Sequence, residues 1–176
     1  MLLFMDKNVL RALLKWPDVP AVYGWLLLDR RGEWRLRSSA LDTASFEHIG
    51  NAALRDFISR NYARDERGCW YFQNGPQRVF ARLSYAPRVW RLDAQTLRDH
   101  CGRPGESPLE AWLDEEGSLL LADPHGVGVL DDRDLPRAAE GIRGGNISIG
   151  GFEARLGTIT GSEMPRRFGF LREPRP

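Results

Sequence analysis

An α+β fold, mostly antiparallel, with short hairpin-connected strands and about three helices, is predicted by three features of the sequence. The phrase Asp-x-x-Gly-x-(Trp/Leu)-x-(Leu/Phe) is written three times, at Asp29–Leu36, Asp65–Phe72 and Asp114–Leu121. Asn74-Gly75 is a strong two-residue hairpin signal. After it, Val79, Ala81, Leu83 and Tyr85 alternate with Arg78, Phe80, Arg82 and Ser84, the period of a half-buried strand. In the repeated phrase the aspartate opens a turn by bonding the backbone two residues on. Glycine closes it with a positive φ, and apolar residues at alternate positions start the next strand.

Taken in order, residues 7–16 read as a short helix with Val9, Leu10, Leu13 and Leu14 on one side, stopped because Trp16 precedes Pro17. Strands at 22–28 and 33–37 form a hairpin around the first aspartate turn, and 38–50 is polar and irregular. Asn51 caps a helix over 52–63 whose apolar face is Leu54, Phe57, Ile58 and Tyr62. The second aspartate turn follows so closely that it reads as a helix-to-strand connection. Strands are predicted at 69–73, 78–85 and 89–92. The Gly- and Pro-containing stretch from Thr96 to Pro108 marks a boundary. The second half continues with strands around the third turn (109–122), a strand at 127–130, and a helix at 135–141 with Asp134 as cap. Strands at 146–149 and 152–157 follow, then a tail anchored by Phe168 and Phe170. The implied organisation is an N-terminal α+β subdomain (1–93), a linker (94–108) and a β-rich C-terminal subdomain with one helix (109–176). A single compact domain is the alternative.

A chain of 176 residues buries roughly 70% of its unfolded surface and needs neither disulfide nor metal to hold together. The formal charge of +1 supplies no field for an anionic membrane and disfavours nucleic acid as a partner. Of 25 basic residues only Lys7 and Lys15 are lysine, a bias that fits a GC-rich bacterial genome. Two cysteines without a Cys-x-x-Cys point to a reducing compartment. The apolar start lacks a basic flank and stops at Asp6, and no apolar run approaches the roughly 20 residues of a membrane helix. A cytoplasmic protein is expected.

No catalytic constellation stands out. Gln73, Asn74, Gln77 and Arg78, gathered at one hairpin, are candidate binding residues for a peptide or carboxylate, because turns carry binding groups disproportionately. Asp131, Asp132 and Asp134 lack the spacing and terminal Glu of a calcium loop and read as turn and cap residues. His48, Cys69, His100 and Cys101 match no structural zinc pattern. The Gly144–Gly151 run lacks the Gly-Lys-Ser/Thr ending of a phosphate loop and reads as a glycine-flanked strand. No metal and no cofactor are expected.

The segment Leu54–Pro87 (LRDFISRNYARDERGCWYFQNGPQRVFARLSYAP), with Asp29–Trp34 and Phe168-Gly169-Phe170, resembles a proteobacterial family of unknown function. The order Asp-x-x-Gly-x-Trp, helix, Asp-x-x-Gly-x-aromatic, strands and Pro is also faintly similar to a second uncharacterised bacterial family. That likeness implies two α+β repeats and a part in signalling. Neither supplies catalytic residues. The functional expectation is a non-catalytic binding or regulatory module engaging a protein partner or a small ligand, with Trp34, Trp70 and Trp90 as a further contact group where solvent-facing. The alternative is an enzyme on a small anionic metabolite, with arginine clamps and His48 or His125 as acid/base. Homodimerisation through a sheet edge fits either.

Overall fold

The computed structural model describes residues 5–39, 45–94 and 96–176. The chain forms two compact units, neither continuous in sequence. The first takes the chain up to Asp29, then Glu33–Ser84 and Phe170–Pro176; the second takes Arg30–Gly32 and Tyr85–Gly169. The division falls at Ser84 and Tyr85, and residues 94–108, expected as a linker, belong to the second unit.

The first unit contains α1 (Lys7–Lys15), β1 (Val22–Leu28), β2 (Trp34–Arg37), β3 (Phe46–His48), α2 (Ala52–Arg60), β4 (Tyr62–Arg64), β5 (Trp70–Asn74) and β6 (Gln77–Leu83). Its six strands run in the order β3-β2-β1-β6-β5-β4. Neighbours pair antiparallel except β1 and β6, which are parallel and set Leu26 beside Ala81 and Leu28 beside Leu83. One sheet face packs under α2. Asn51 caps that helix through Oδ1, which accepts the Leu54 N–H at 3.1 Å, as its position predicts. Trp34 donates to Ser59 Oγ at 2.9 Å and meets Tyr62 edge-on, while Phe57 meets Phe72. Leu26 and Leu28 are wholly buried, contributing about 2 kcal/mol each. The other face carries Tyr71 and Phe80 in a cluster with Met5, Ala63 and Cys69, against which Leu10 and Tyr23 pack.

The second unit contains β7 (Arg88–Asp93), β8 (Thr96–Asp99), β9 (Glu110–Leu113), β10 (Leu119–Asp123), β11 (Gly126–Leu130), α3 (Leu135–Ala139), β12 (Ile142–Arg143), β13 (Asn146–Ile149), β14 (Phe152–Thr158) and α4 (Met164–Phe168). The order is β12-β13-β14-β9-β10-β11-β7-β8, with β14/β9 and β11/β7 parallel. Trp90, Leu119, Leu121, Leu130 and Ile147 centre its core. Within it Arg88 is a buried cation held between two buried carboxylates. Its Nε lies 3.1 Å from Asp99 Oδ2, its Nη1 2.5 Å from Asp123 Oδ1, and its guanidinium 4.0 Å above the Trp90 ring.

The sheets are therefore mixed, which corrects the mostly antiparallel expectation. Each parallel pair joins segments far apart in sequence, so no turn signal announces it. The aspartate turn is the most regular local device, and it occurs a fourth time at Asp99–Gly102. In Asp29, Asp65, Asp99 and Asp114 the backbone N–H donates to the carbonyl four residues on, at 2.8–3.1 Å. The carboxylate Oδ1 accepts the N–H of that same residue at 2.6–2.9 Å. The glycines take φ of +77° to +81°. This is the three-residue hairpin loop with a glycine bulge. The bulge brings the fifth residue's N–H onto the carboxylate, and the bond two residues on is an addition made by Asp99 and Asp114.

Other local expectations shift for identifiable reasons. α2 ends at Arg60, not 63, because Asn61 is buried. Its Nδ2 donates to the Phe57 carbonyl and its Oδ1 accepts the Asp6 N–H. The released residues form β4, which pairs antiparallel with β5, so the second aspartate turn is a hairpin after all. Within 38–50, residues 40–44 lie outside the described residues and β3 follows them. Asp134 makes no cap bond to α3; it accepts the Leu92 N–H at 2.9 Å, while Asp131 caps a preceding 3-10 turn at Asp132–Asp134. Gly144-Gly145 and Gly150-Gly151 are two-residue loops with both φ positive, joining β12 to β13 and β13 to β14. Leu14 is 83% exposed, and Trp34, Trp70 and Trp90 are all buried, which removes them as a contact group.

Candidate ligand-binding site

On the α1 face of the first sheet, residue parity and the parallel pairing together assemble an aromatic wall. Tyr23 of β1 stacks on Phe80 of β6 with ring centroids 4.6 Å apart and planes 6° from parallel, and Tyr71 of β5 lies 5.5 Å from Phe80. Two guanidiniums flank these rings. Arg67, in the second aspartate turn, hydrogen-bonds the Tyr23 side chain, which raises its already high pKa. Arg78 lies 4.8 Å over the Tyr71 ring.

Beside this wall lies a cavity of about 400 Å³, lined by Tyr23, Phe80, Arg67, Arg78 and Asp65, with apolar residues from the end of α1 and its link to β1. That volume is within the usual range for small-molecule sites, about 300–1,000 Å³. Among the described residues Asp65 is the one lining carboxylate, and it is already engaged. Oδ1 accepts the Cys69 N–H at 2.8 Å and Oδ2 sits 3.6 Å from Arg67 Nε. Arg78 is exposed, and among the described residues no carboxylate is in ion-pair range of it. The lining thus presents a cation and an aromatic face together.

The four hairpin candidates divide. Gln73 is fully buried; its Nε2 donates to the Gly75 carbonyl at 3.0 Å and braces the turn. Asn74 is exposed at the end of β5. Gln77 Nε2 donates to the Pro20 carbonyl at 3.0 Å, tying the turn to the segment that lines the cavity. Arg78 alone of the four lines it. Tyr23 and Arg67 were not readable as site residues, since the β1–β6 pairing that unites Tyr23 with Phe80 has no local signature. The shared parity of Arg78 and Phe80 was the available clue.

His48 is exposed on β3, with Nδ1 3.8 Å from Glu33 Oε2, and His125 is exposed with Nε2 3.0 Å from Glu106 Oε2. Neither lines the cavity. His100 is different. Its Nδ1 accepts the Val89 N–H at 3.3 Å and its Nε2 is 3.5 Å from Cys101 Sγ. Burial lowers its pKa from 6.5 to about 4. A neutral ring whose Nδ1 is committed to the backbone carries its proton on Nε2, so it cannot take one from the thiol, and the pair is no nucleophilic dyad. Because the folded pKa lies below the unfolded one, the unfolded chain binds more protons between these values. Stability should therefore fall as pH drops from 6.5 towards 4, by up to ~1.4 kcal/mol per pH unit. Chemical denaturation across this range is expected to show the slope in the wild type and a shallower one in His100→Gln. At Asp131 burial opposes ionisation, but bonds from the Arg133 side chain and N–H outweigh it and hold the carboxyl at about 2, consistent with a structural cap.

No curated protein matches the chain. A family model described as "Protein of unknown function (DUF2946)" matches residues 5–175. Among solved structures, a DUF1285 family protein from Silicibacter pomeroyi DSS-3 is similar with a TM-score of 0.56 at 16% identity, covering 88% of this chain and 90% of that one. A DUF1285 family protein from Shewanella baltica OS155 gives a TM-score of 0.48 at 10% identity, covering 68% and 94%. The likeness to the first is one of fold.

Proposed function

The chain belongs to that family of unknown function, and we propose that it is a non-catalytic binding module whose first unit takes a small organic anion beside Tyr23 and Phe80. The observation that carries this reading is Arg78, an exposed guanidinium without a carboxylate partner among the described residues, on a cavity with a stacked aromatic wall. A planar or apolar body would lie on the rings while its carboxylate or phosphate meets Arg78 and Arg67. Among the described lining residues Asp65 pairs with Arg67 and leaves Arg78 to the anion. A catalytic role is less well supported, since neither His48 nor His125 lines this cavity.

Titration calorimetry with aromatic carboxylates, and with the matching amines as controls, tests the reading. Carboxylates are expected to bind, and Arg78→Ala to weaken them about tenfold, equivalent to ~1.4 kcal/mol. Amines binding as well as acids, or Arg78→Ala binding undiminished, would refute it.

A further inference from the structure

The segment after α4 returns to the first unit and is held there. Phe170 is buried, the Leu171 N–H donates to the Gly68 carbonyl at 3.1 Å, and the Leu83 N–H donates to the Arg172 carbonyl at 2.8 Å. Beyond these bonds Glu173-Pro174-Arg175-Pro176 has no regular secondary structure, yet Pro174 is buried. These four residues help line a second cavity, of about 250 Å³, whose other walls come from Tyr23, Gly24, Arg37, Phe80 and Arg82. Arg82 Nη2 lies 2.9 Å from Glu173 Oε1.

We propose that this groove is a recognition site for an extended Glu-Pro-x-Pro segment of a partner protein, and that the chain's own tail is an intramolecular version of that ligand. Proline fixes its own φ and biases the residue before it towards extended backbone, so Glu173 and Arg175 are pre-set and little freedom is lost on docking. Aromatic-lined grooves are a recurrent seat for such segments. Arg82 selects the glutamate, and the Leu83 N–H fixes the residue before it. Arg175 stands at the rim, its side chain mostly exposed, with Nη2 3.6 Å from Glu173 Oε2. A partner segment therefore needs no arginine at that place, and competes with the tail for Arg82 and the Leu83 N–H. The proposal uses a different cavity from the small-anion reading and does not depend on Arg67 or Arg78.

Fluorescence anisotropy with the labelled peptide acetyl-Arg-Glu-Pro-Ala-Pro, added to the full chain, provides the test. Glu173→Arg loosens the tail and is expected to bind the peptide about tenfold tighter than the wild type. The Arg82–Glu173 pair is half exposed, so this variant should melt near the wild-type temperature. Adding Arg82→Ala to Glu173→Arg should abolish the gain, and so should changing the peptide's Glu to Gln or both prolines to Ala. Arg78→Ala should leave peptide binding unchanged, which separates this result from failure of the small-anion reading. Equal binding to wild type and Glu173→Arg would overturn the proposal. So would competition by acetyl-glutamate amide as strong as the peptide's, which would mean a carboxylate site only. A wild-type dimer dispersed by Glu173→Arg would overturn it too, by making a second copy the occupant.

Discussion

Valine at position 32 is expected to destabilise the protein by about 4 kcal/mol and lower its melting temperature by roughly 10 °C. Two effects add. Gly32 has φ +77°, a conformation that costs a β-branched residue ~1–2 kcal/mol. A Cβ there would also lie 2.6 Å from His100 Cβ and 3.3 Å from Val89 Cβ, and those atoms are attached directly to backbone and cannot swing away. Overpacking of that kind costs ~1–3 kcal/mol. Gly117 is the internal control. It has φ +80° in the same turn type, but a Cβ there meets nothing within 4 Å. Gly117→Val should therefore lose only the backbone part, and thermal melts of the two variants should differ by several degrees. Equal melting temperatures would refute the packing against His100.

Arg88→Met is expected to cost about 3–5 kcal/mol, because it strands the Asp99 and Asp123 carboxylates without their buried counterion. Both aspartates also hold turn backbone: Asp99 accepts the N–H groups of Cys101 and Arg103, and Asp123 that of His125. Losing the clamp should therefore loosen two turns together. The triple variant Arg88→Met, Asp99→Asn, Asp123→Asn keeps the acceptors and removes the charge. It should recover most of the loss. Urea titration is the check, with a midpoint drop of about 2 M expected for the single variant. A triple variant no more stable than the single one would show that buried charge is not what matters.

What was legible in the sequence is what is local. Asn51 as a helix cap and the aspartate turns follow from residue types within five positions of one another, and they survive. The Asn74-Gly75 signal marks a real hairpin but is one residue out of place, since Asn74 pairs with Gln77 and the two-residue loop is Gly75-Pro76. β4 went unread because the helical spacing of Leu54, Phe57, Ile58 and Tyr62 runs straight through it, and only tertiary burial of Asn61 ends the helix. β8 was hidden by the turn residues around it, although Asp99-His100-Cys101-Gly102 spells the same turn without the Trp or Leu that follows in the other three copies. The site was legible to the same extent. Arg78 was named from its hairpin, but Tyr23 joins Phe80 through a parallel pairing across more than fifty residues, for which a sequence carries no local mark.

The division of the chain also bears on how the protein is made. A ribosome that has released residues 1–84 has delivered neither Phe170, which the first unit buries, nor Arg172, whose carbonyl receives the Leu83 N–H. The first unit thus waits for residues 170–172 before these contacts close, and these emerge only after residues 85–169 of the second. Although it begins the chain, the first unit cannot finish ahead of the second, unlike the usual N-terminal-first order. A stalled nascent chain ending near residue 169 should leave an unfinished first sheet exposed to chaperones.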